Sequence, residues 1–134
     1  MDDAASNSIR ILKHRPTSVD EFCRRVRDQL GNVCENCGST HHIHAHHILP
    51  VHSHPKLRTE PDNILVLCRK CHPKEALHAR STPGEGLIGY ARLSQSLLNR
   101  AADFIEKADP TLRGRAALFR RGPLAIEDYF FDRL

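Results

Sequence analysis

Two short cysteine-containing stretches, Cys34-Glu35-Asn36-Cys37-Gly38 and Cys68-Arg69-Lys70-Cys71-His72, decide how this 134-residue chain is expected to fold. Each stretch contains a Cys-x2-Cys pair on a predicted turn. Four thiolates from two such turns can surround a tetrahedral Zn²⁺ ion, with sulfur–zinc distances of about 2.3 Å. We therefore predict a structural zinc site that contributes directly to folding, formed by Cys34, Cys37, Cys68 and Cys71.

Two other interpretations of the four cysteines are a set of buried free thiols and a dithiol redox pair. A redox pair is expected beside a βαβ unit, and the pattern of apolar residues here does not predict one. No apolar run reaches the roughly 18 residues of a membrane span, so we predict no membrane association. Two acids follow Met1 without an apolar segment, unlike a secretory signal. We expect a cytoplasmic location, which argues against disulfides.

Composition is compatible with a nucleic-acid partner without requiring one. The chain has 20 Lys and Arg against 16 Asp and Glu, for a net charge of +4. A basic balance of this size occurs in many proteins that bind no nucleic acid. The histidines are more informative, because nine of the ten lie between His41 and His78.

The order of predicted elements indicates a small α+β fold. Ser18 and Glu21 form a capping box at the start of a helix over residues 19–30. Strands are predicted over residues 43–48 and 63–67, with a proline-containing loop over residues 50–62 between them. A short helix is predicted to run towards His78, and the C-terminal part is predicted to contain helices over residues 90–108, 111–121 and 124–131. We expect a lead-in over residues 1–17, a domain over residues 18–80 and a helical extension over residues 81–134.

A series of polar residues lies between and behind the cysteine pairs. His46 and His47 end the first predicted strand, Asn63 precedes the second, and His72 follows Cys71. One histidine can bind a metal ion, a neighbour can act as a general base, and a third can complete the metal ligands. Hydrolysis of a phosphodiester needs these parts, because water requires a base and the phosphate charge requires a cation.

These residues resemble the HNH endonuclease family, whose core is a ββα-metal, treble-clef-like fold. The matching segments are CENCG, AHHILP, NILVLC and CRKCH, within residues 34 to about 78. The resemblance implies that His47 is the general base and that His46 and His72 bind the catalytic metal ion. It also implies that Asn63 holds the loop and helps to orient the base. Relatives with a further ligand one helical turn after the last histidine differ from this chain, which has Ala76 there.

The resemblance therefore implies an HNH-type DNA endonuclease or nickase that needs a structural Zn²⁺ ion and a catalytic Mg²⁺, Mn²⁺, Ni²⁺ or Zn²⁺ ion. We expect double-stranded DNA as the partner. Basic residues close to the site in sequence are predicted to contact it: Lys56, Arg58, Arg69, Lys70 and Lys74.

Two alternatives remain open at the level of sequence. The chain could be a zinc-stabilised nucleic-acid-binding module without catalysis, although such a module does not need His47, Asn63 and His72. The apolar face of the C-terminal helices could be buried core or could form a dimer or partner interface. The basic group in this region, Arg113, Arg115, Arg120 and Arg121, could likewise be a solvated helix face or a contact to DNA.

Overall fold

The computed structural model describes residues 18–73 and 88–131, which form parts of two compact units, Met1–Lys70 and Cys71–Leu134. The predicted lead-in, the short helix towards His78 and the predicted domain boundary after residue 80 lie outside the described residues. Each unit is built from its own elements. In the described residues these comprise four α-helices and one two-stranded sheet, which confirms the predicted α+β class.

The first helix, α1 (Val19–Gln29), begins where the capping box predicts. The Ser18 hydroxyl accepts a hydrogen bond from the Glu21 backbone N–H at 3.1 Å, which satisfies a donor that the helix start leaves unpaired. Phe22 and Val26, four residues apart, lie on one face and are buried. The helix stops before Gly31, which has a φ of 79° that other residues rarely adopt.

The sheet pairs β1 (Ile43–His47) with β2 (Ile64–Cys68) in antiparallel orientation. Ile64 and Val66 of β2 form one core cluster with the buried face of α1. Side chains alternate along a strand, so His46 and His47 point to opposite faces of β1. His47 ends the strand opposite Ile64, and His46 pairs with Leu65. The predicted strands are confirmed to within one residue at each end.

The second unit contains α2 (Gln95–Ala108), α3 (Arg113–Arg121) and α4 (Pro123–Phe131). The prediction of one helix from Tyr90 to Ala108 is wrong. Tyr90 lies in a separate 3₁₀ turn, Gly89–Arg92, and the following residue is extended. The physical reason is Ser94, whose hydroxyl accepts the Leu97 N–H at 3.3 Å and so starts a new helix.

The apolar face of α2 is core within the second unit. The buried residues of this helix are Leu97, Leu98, Ala101, Ala102 and Ile105. Tyr90 is also buried and stacks on Phe119 of α3, with ring centroids 4.6 Å apart. Of the two interpretations of this face, the core is therefore confirmed for α2. Leu124 and Phe131 of α4 remain exposed.

Gly122 makes the sharp turn between α3 and α4, with a φ of 106°. A Cβ atom there would lie 2.7 Å from the side-chain oxygen of Gln95. The Gln95 amide also donates to the Phe119 and Arg120 carbonyls, which are at the end of α3. The backbone conformation therefore favours glycine here. A larger residue would also displace the Gln95 side chain that caps the preceding helix.

None of the helices described in residues 18–73 and 88–131 combines the length and the apolar character needed to cross a membrane.

Candidate active site

The four predicted zinc ligands lie together. The sulfur atoms of Cys34, Cys37, Cys68 and Cys71 are all within 4.8 Å of one another. The Cys37 and Cys68 sulfurs are 3.6 Å apart. Within the part of the chain that the structure describes, this is the one group of three or more His, Cys, Asp or Glu side chains placed to share a metal ion.

The electrostatics of this cluster favour the metal-binding form of cysteine. Burial alone raises the pKa of Cys34, but backbone N–H groups of Cys68, Cys37 and Asn36 outweigh burial and lower that pKa to about 7. The thiolate is the form that binds metals. The fifth cysteine, Cys23, lies in α1, and burial raises its pKa. The quartet therefore fits a structural Zn²⁺ ion, and Cys23 does not belong to it.

Glu35, between the first two cysteines, joins this turn to the sheet. Its backbone N–H donates to the Val66 carbonyl at 2.9 Å, and its carboxylate accepts the Val66 N–H at 2.8 Å. Glu35 thus satisfies the two backbone groups of β2 that β1 leaves unpaired at this position. Sequence analysis did not assign this role, because a carboxylate inside a Cys-x2-Cys turn gives no signal of its long-range partner.

His47, the predicted general base, is held by the proline-containing loop. Its Nε2 atom lies 2.9 Å from the backbone oxygen of Arg58. A carbonyl oxygen can only accept a hydrogen bond, so Nε2 carries the proton in the neutral ring. The lone pair is then on Nδ1. The side chain is half-buried, which leaves the ring access to solvent. This arrangement suits an imidazole that takes a proton from water at Nδ1.

Asn63 fixes the two ends of the loop that carries Arg58. Its buried side-chain oxygen accepts the Leu49 N–H at 2.8 Å. Its amide nitrogen donates to the Leu49 and Leu57 carbonyls, each at 3.1 Å. Leu57 immediately precedes Arg58, whose carbonyl binds His47. Asn63 is therefore linked to His47 through the loop backbone, and its role in positioning a general base stays a prediction.

Replacing Asn63 with alanine is expected to destabilise the first unit by about 3 kcal/mol. The substitution leaves one buried N–H and two carbonyls without their partner, and an unsatisfied buried group costs about 1–3 kcal/mol. Urea unfolding measured by circular dichroism would give this difference. His52→Ala is the matched control, since His52 is exposed in the same loop. Equal unfolding midpoints for Asn63→Ala and wild type would contradict the role assigned to the amide.

The two histidines predicted to bind the catalytic ion are both buried. His46 is 1% exposed and His72 is 6% exposed, whereas His44 and His52 are exposed. The Nδ1 atom of His46 is buried without a hydrogen-bond partner among the described residues, and the residue makes other interactions. A buried imidazole is favoured in its neutral form, which is the form that binds metal ions. Their shared role as ligands stays a prediction.

Four of the five basic residues predicted to contact DNA are exposed: Lys56, Arg58, Arg69 and Lys70. The Arg58 guanidinium also donates to the Pro55 carbonyl at 2.6 Å, which holds the side chain over its own loop. Lys74 lies outside the described residues. Lys56 and Arg58 lie in the loop that contacts His47. Arg69 and Lys70 instead follow the opposite end of β2, where Cys68 pairs with Ile43. Exposure is compatible with phosphate contacts, and the contacts themselves stay a prediction.

Comparison with known proteins bears on the segment that holds these residues. The model of the HNH endonuclease family matches residues 34–76, a range that includes both cysteine pairs, β1, β2 and the loop between them. Residues 34–76 are thus similar to HNH endonuclease domains. The match and the clustered cysteines confirm the predicted ββα-metal class for this segment. The HNH family consists in general of nucleases, so the domain indicates nuclease-type activity.

The Zorya protein ZorE of Escherichia coli is similar to this chain over a longer stretch. It is 29% identical over 104 residues, which cover 70% of this chain and 27% of ZorE. The chain thus spans about a quarter of the length of that relative. No solved structure matches the chain.

Proposed function

We propose that the chain is a metal-dependent endonuclease or nickase that hydrolyses phosphodiester bonds of DNA through its HNH domain. The observation that supports the proposal most is the state of His47. Its Nε2 atom is hydrogen-bonded to the Arg58 carbonyl, and its Nδ1 atom keeps the lone pair on a half-buried ring at the end of β1. A purely structural zinc domain has no need for a base held in this way.

The proposed reaction begins with a neutral His47 ring. Nδ1 takes a proton from water, and the resulting hydroxide attacks the phosphorus in line with the departing 3′ oxygen. The new O–P bond forms as the P–O3′ bond breaks, and the 3′ oxygen takes a proton from solvent. The products carry a 5′ phosphate and a 3′ hydroxyl. Asn63 and Arg58 contribute by keeping the His47 ring at a fixed angle during the proton transfer.

His46 and His72 are the proposed ligands of the catalytic divalent ion. When bound, such an ion neutralises charge on the phosphate and on the departing oxygen. Imidazole donors suit Mn²⁺, Ni²⁺ or Zn²⁺, whereas Mg²⁺ prefers oxygen ligands. The cysteine quartet has a separate task, because four thiolates fill a tetrahedral Zn²⁺ ion and leave it no open position for a substrate.

The proposal predicts the chemistry of the cleaved ends. Zinc-loaded protein is incubated with an end-labelled DNA duplex and with the matching RNA duplex, each with added Mg²⁺, Mn²⁺ or Ni²⁺. We expect DNA fragments that a ligase can rejoin, because they carry 5′ phosphates and 3′ hydroxyls. Fragments with 3′ phosphates would contradict the proposed direction of attack. Binding of the DNA without cleavage under every ion would instead favour a zinc-stabilised binding module.

A further inference from the structure

The exposed face of α3 carries an excess of positive charge that lies outside residues 34–76 and has no part in the proposed cleavage reaction. The helix contains four arginines and no acidic residue. Sequence alone could not separate a solvated helix face from a binding surface, because it does not show which arginines are neutralised. The structure separates Arg120 from Arg113 and Arg121 by their ion-pair partners.

Arg120 is neutralised within the second unit. Its guanidinium lies 2.9 Å from the Asp103 carboxylate and 3.1 Å from that of Glu106, both on α2. These two acids, through hydrogen bonds, raise the pKa of Arg120. The side chain of Arg120 therefore joins α3 to α2 and contributes little net charge to the surface.

Arg113 and Arg121 are different. Both are exposed, and neither has an ion-pair partner among residues 18–73 and 88–131. Ala117 is four positions from each of them along the chain, so all three side chains share one face of the helix. The two arginines are about two turns, or roughly 12 Å, apart along the axis.

The surface between the two arginines is open. Ala117 has only a methyl group, and a Cβ atom added at the neighbouring Gly114 would meet nothing within 4 Å. The sugar–phosphate backbone of a nucleic acid can therefore approach the helix closely, with one guanidinium at each end of this face. Duplex DNA carries one charge per roughly 1.7 Å of its axis, so a span of about 12 Å places phosphates beside both arginines.

We infer that this face of α3, consisting of Arg113, Gly114, Ala117 and Arg121, is a binding surface for the phosphate backbone of the nucleic acid that the HNH domain cleaves. The inference rests on the proposed function for the identity of the partner. Its contacts are to phosphate and carry no sequence information, so the surface adds affinity and makes that affinity depend on salt.

The test measures the salt dependence of DNA binding by the full zinc-loaded chain carrying His47→Ala, which keeps the duplex intact. Fluorescence anisotropy with a labelled duplex gives Kd between about 50 and 200 mM salt. Each lost phosphate contact lowers the slope of log K against log salt by about 0.9. The double variant Arg113→Gln, Arg121→Gln is expected to reduce the slope by about 1.8. When the salt concentration is raised fourfold, Kd then increases for both proteins, but the increase is about tenfold smaller for the double variant than for its parent.

A second variant keeps the test independent of folding. Ala117→Glu places a carboxylate four residues from each arginine, where opposite charges stabilise a helix. It is expected to weaken DNA binding while leaving thermal unfolding unchanged or slightly raised. Ala117→Gln is its uncharged match and is expected to bind like the parent. The control on the other unit is Arg24→Gln, since Arg24 is already paired with Asp28 and Glu21.

Salt slopes and affinities that are equal in the parent, the double variant and Ala117→Glu would overturn the inference, and so would a parent that binds no DNA. The outcome is separate from that of the proposed function. Cleavage by wild type together with equal slopes would retain the nuclease and reject the α3 surface. If wild type cleaves no DNA but the double variant shows a smaller salt slope than its parent, the proposed nuclease activity would be rejected. The phosphate-binding surface on α3 would be retained.

Discussion

His47→Ala is expected to lower the single-turnover rate of DNA cleavage by about 10²–10⁴-fold, the range that a positioned general base contributes. The expectation follows from the hydrogen bond between Nε2 and the Arg58 carbonyl, which orients the ring and leaves Nδ1 to accept a proton. Alanine removes that acceptor. The attacking water is then left without a positioned side chain to take its proton.

The same substitution is expected to leave the fold largely intact. His47 is half-buried at the end of β1, and losing its one hydrogen bond to a carbonyl costs about 1 kcal/mol. Zinc content by atomic absorption and duplex binding by anisotropy should therefore match those of wild type. His52→Ala, on an exposed loop position, is expected to cleave at the wild-type rate. Cleavage by His47→Ala within a few-fold of wild type would show that another group activates the water.

The second large effect is expected at the zinc site. Cys68→Ser is expected to remove the bound zinc and to abolish the cooperative unfolding transition of the first unit. Structural zinc sites contribute roughly 10–16 kcal/mol of apparent binding free energy, which is comparable to the roughly 5–15 kcal/mol stability of a whole typical domain. Cys68 is the last residue of β2, so loss of the metal ion would also release the end of that strand.

Cys23→Ser is the matched control for this prediction. Cys23 is also a buried cysteine of the first unit, but it lies in α1 and outside the quartet. The variant should keep one zinc ion per chain and a cooperative transition at a modestly lower temperature. Calorimetry and metal analysis of both variants separate the two roles. A Cys68→Ser protein that retains its zinc and its unfolding transition would contradict the assignment of the quartet.

The cysteine quartet, α1 and the two strands were predictable because their signals are local in sequence. The spacing of the two Cys-x2-Cys pairs identifies the candidate metal ligands, and the Ser18–Glu21 pair marks the start of a helix. The strands were predictable from short apolar runs between turn signals. The 3₁₀ turn that holds Tyr90 was missed, because an apolar face continues across Ser94 even though the helix does not. A capping serine and a helix-interior serine look alike until the backbone conformation is known.

The candidate site was predictable in its residue types but not in how they are held. The resemblance to the HNH family pointed to His47 and Asn63, whereas only the structure shows that they meet through the loop at Leu57 and Arg58. The link consists of backbone carbonyls, which carry no signature in the sequence. The same is true of Glu35, and of the partners that distinguish Arg120 from Arg113 and Arg121.

The central claim is that this HNH domain hydrolyses DNA with His47 as its base. The most direct measurement is the conversion of supercoiled plasmid by wild type and His47→Ala at equal zinc content, each with Mg²⁺, Mn²⁺, Ni²⁺ or EDTA. The account predicts nicked or linear plasmid with wild type and at least one of these ions, none with EDTA, and almost none with His47→Ala. Plasmid that stays supercoiled with every ion, or equal cleavage by the two proteins, would contradict it.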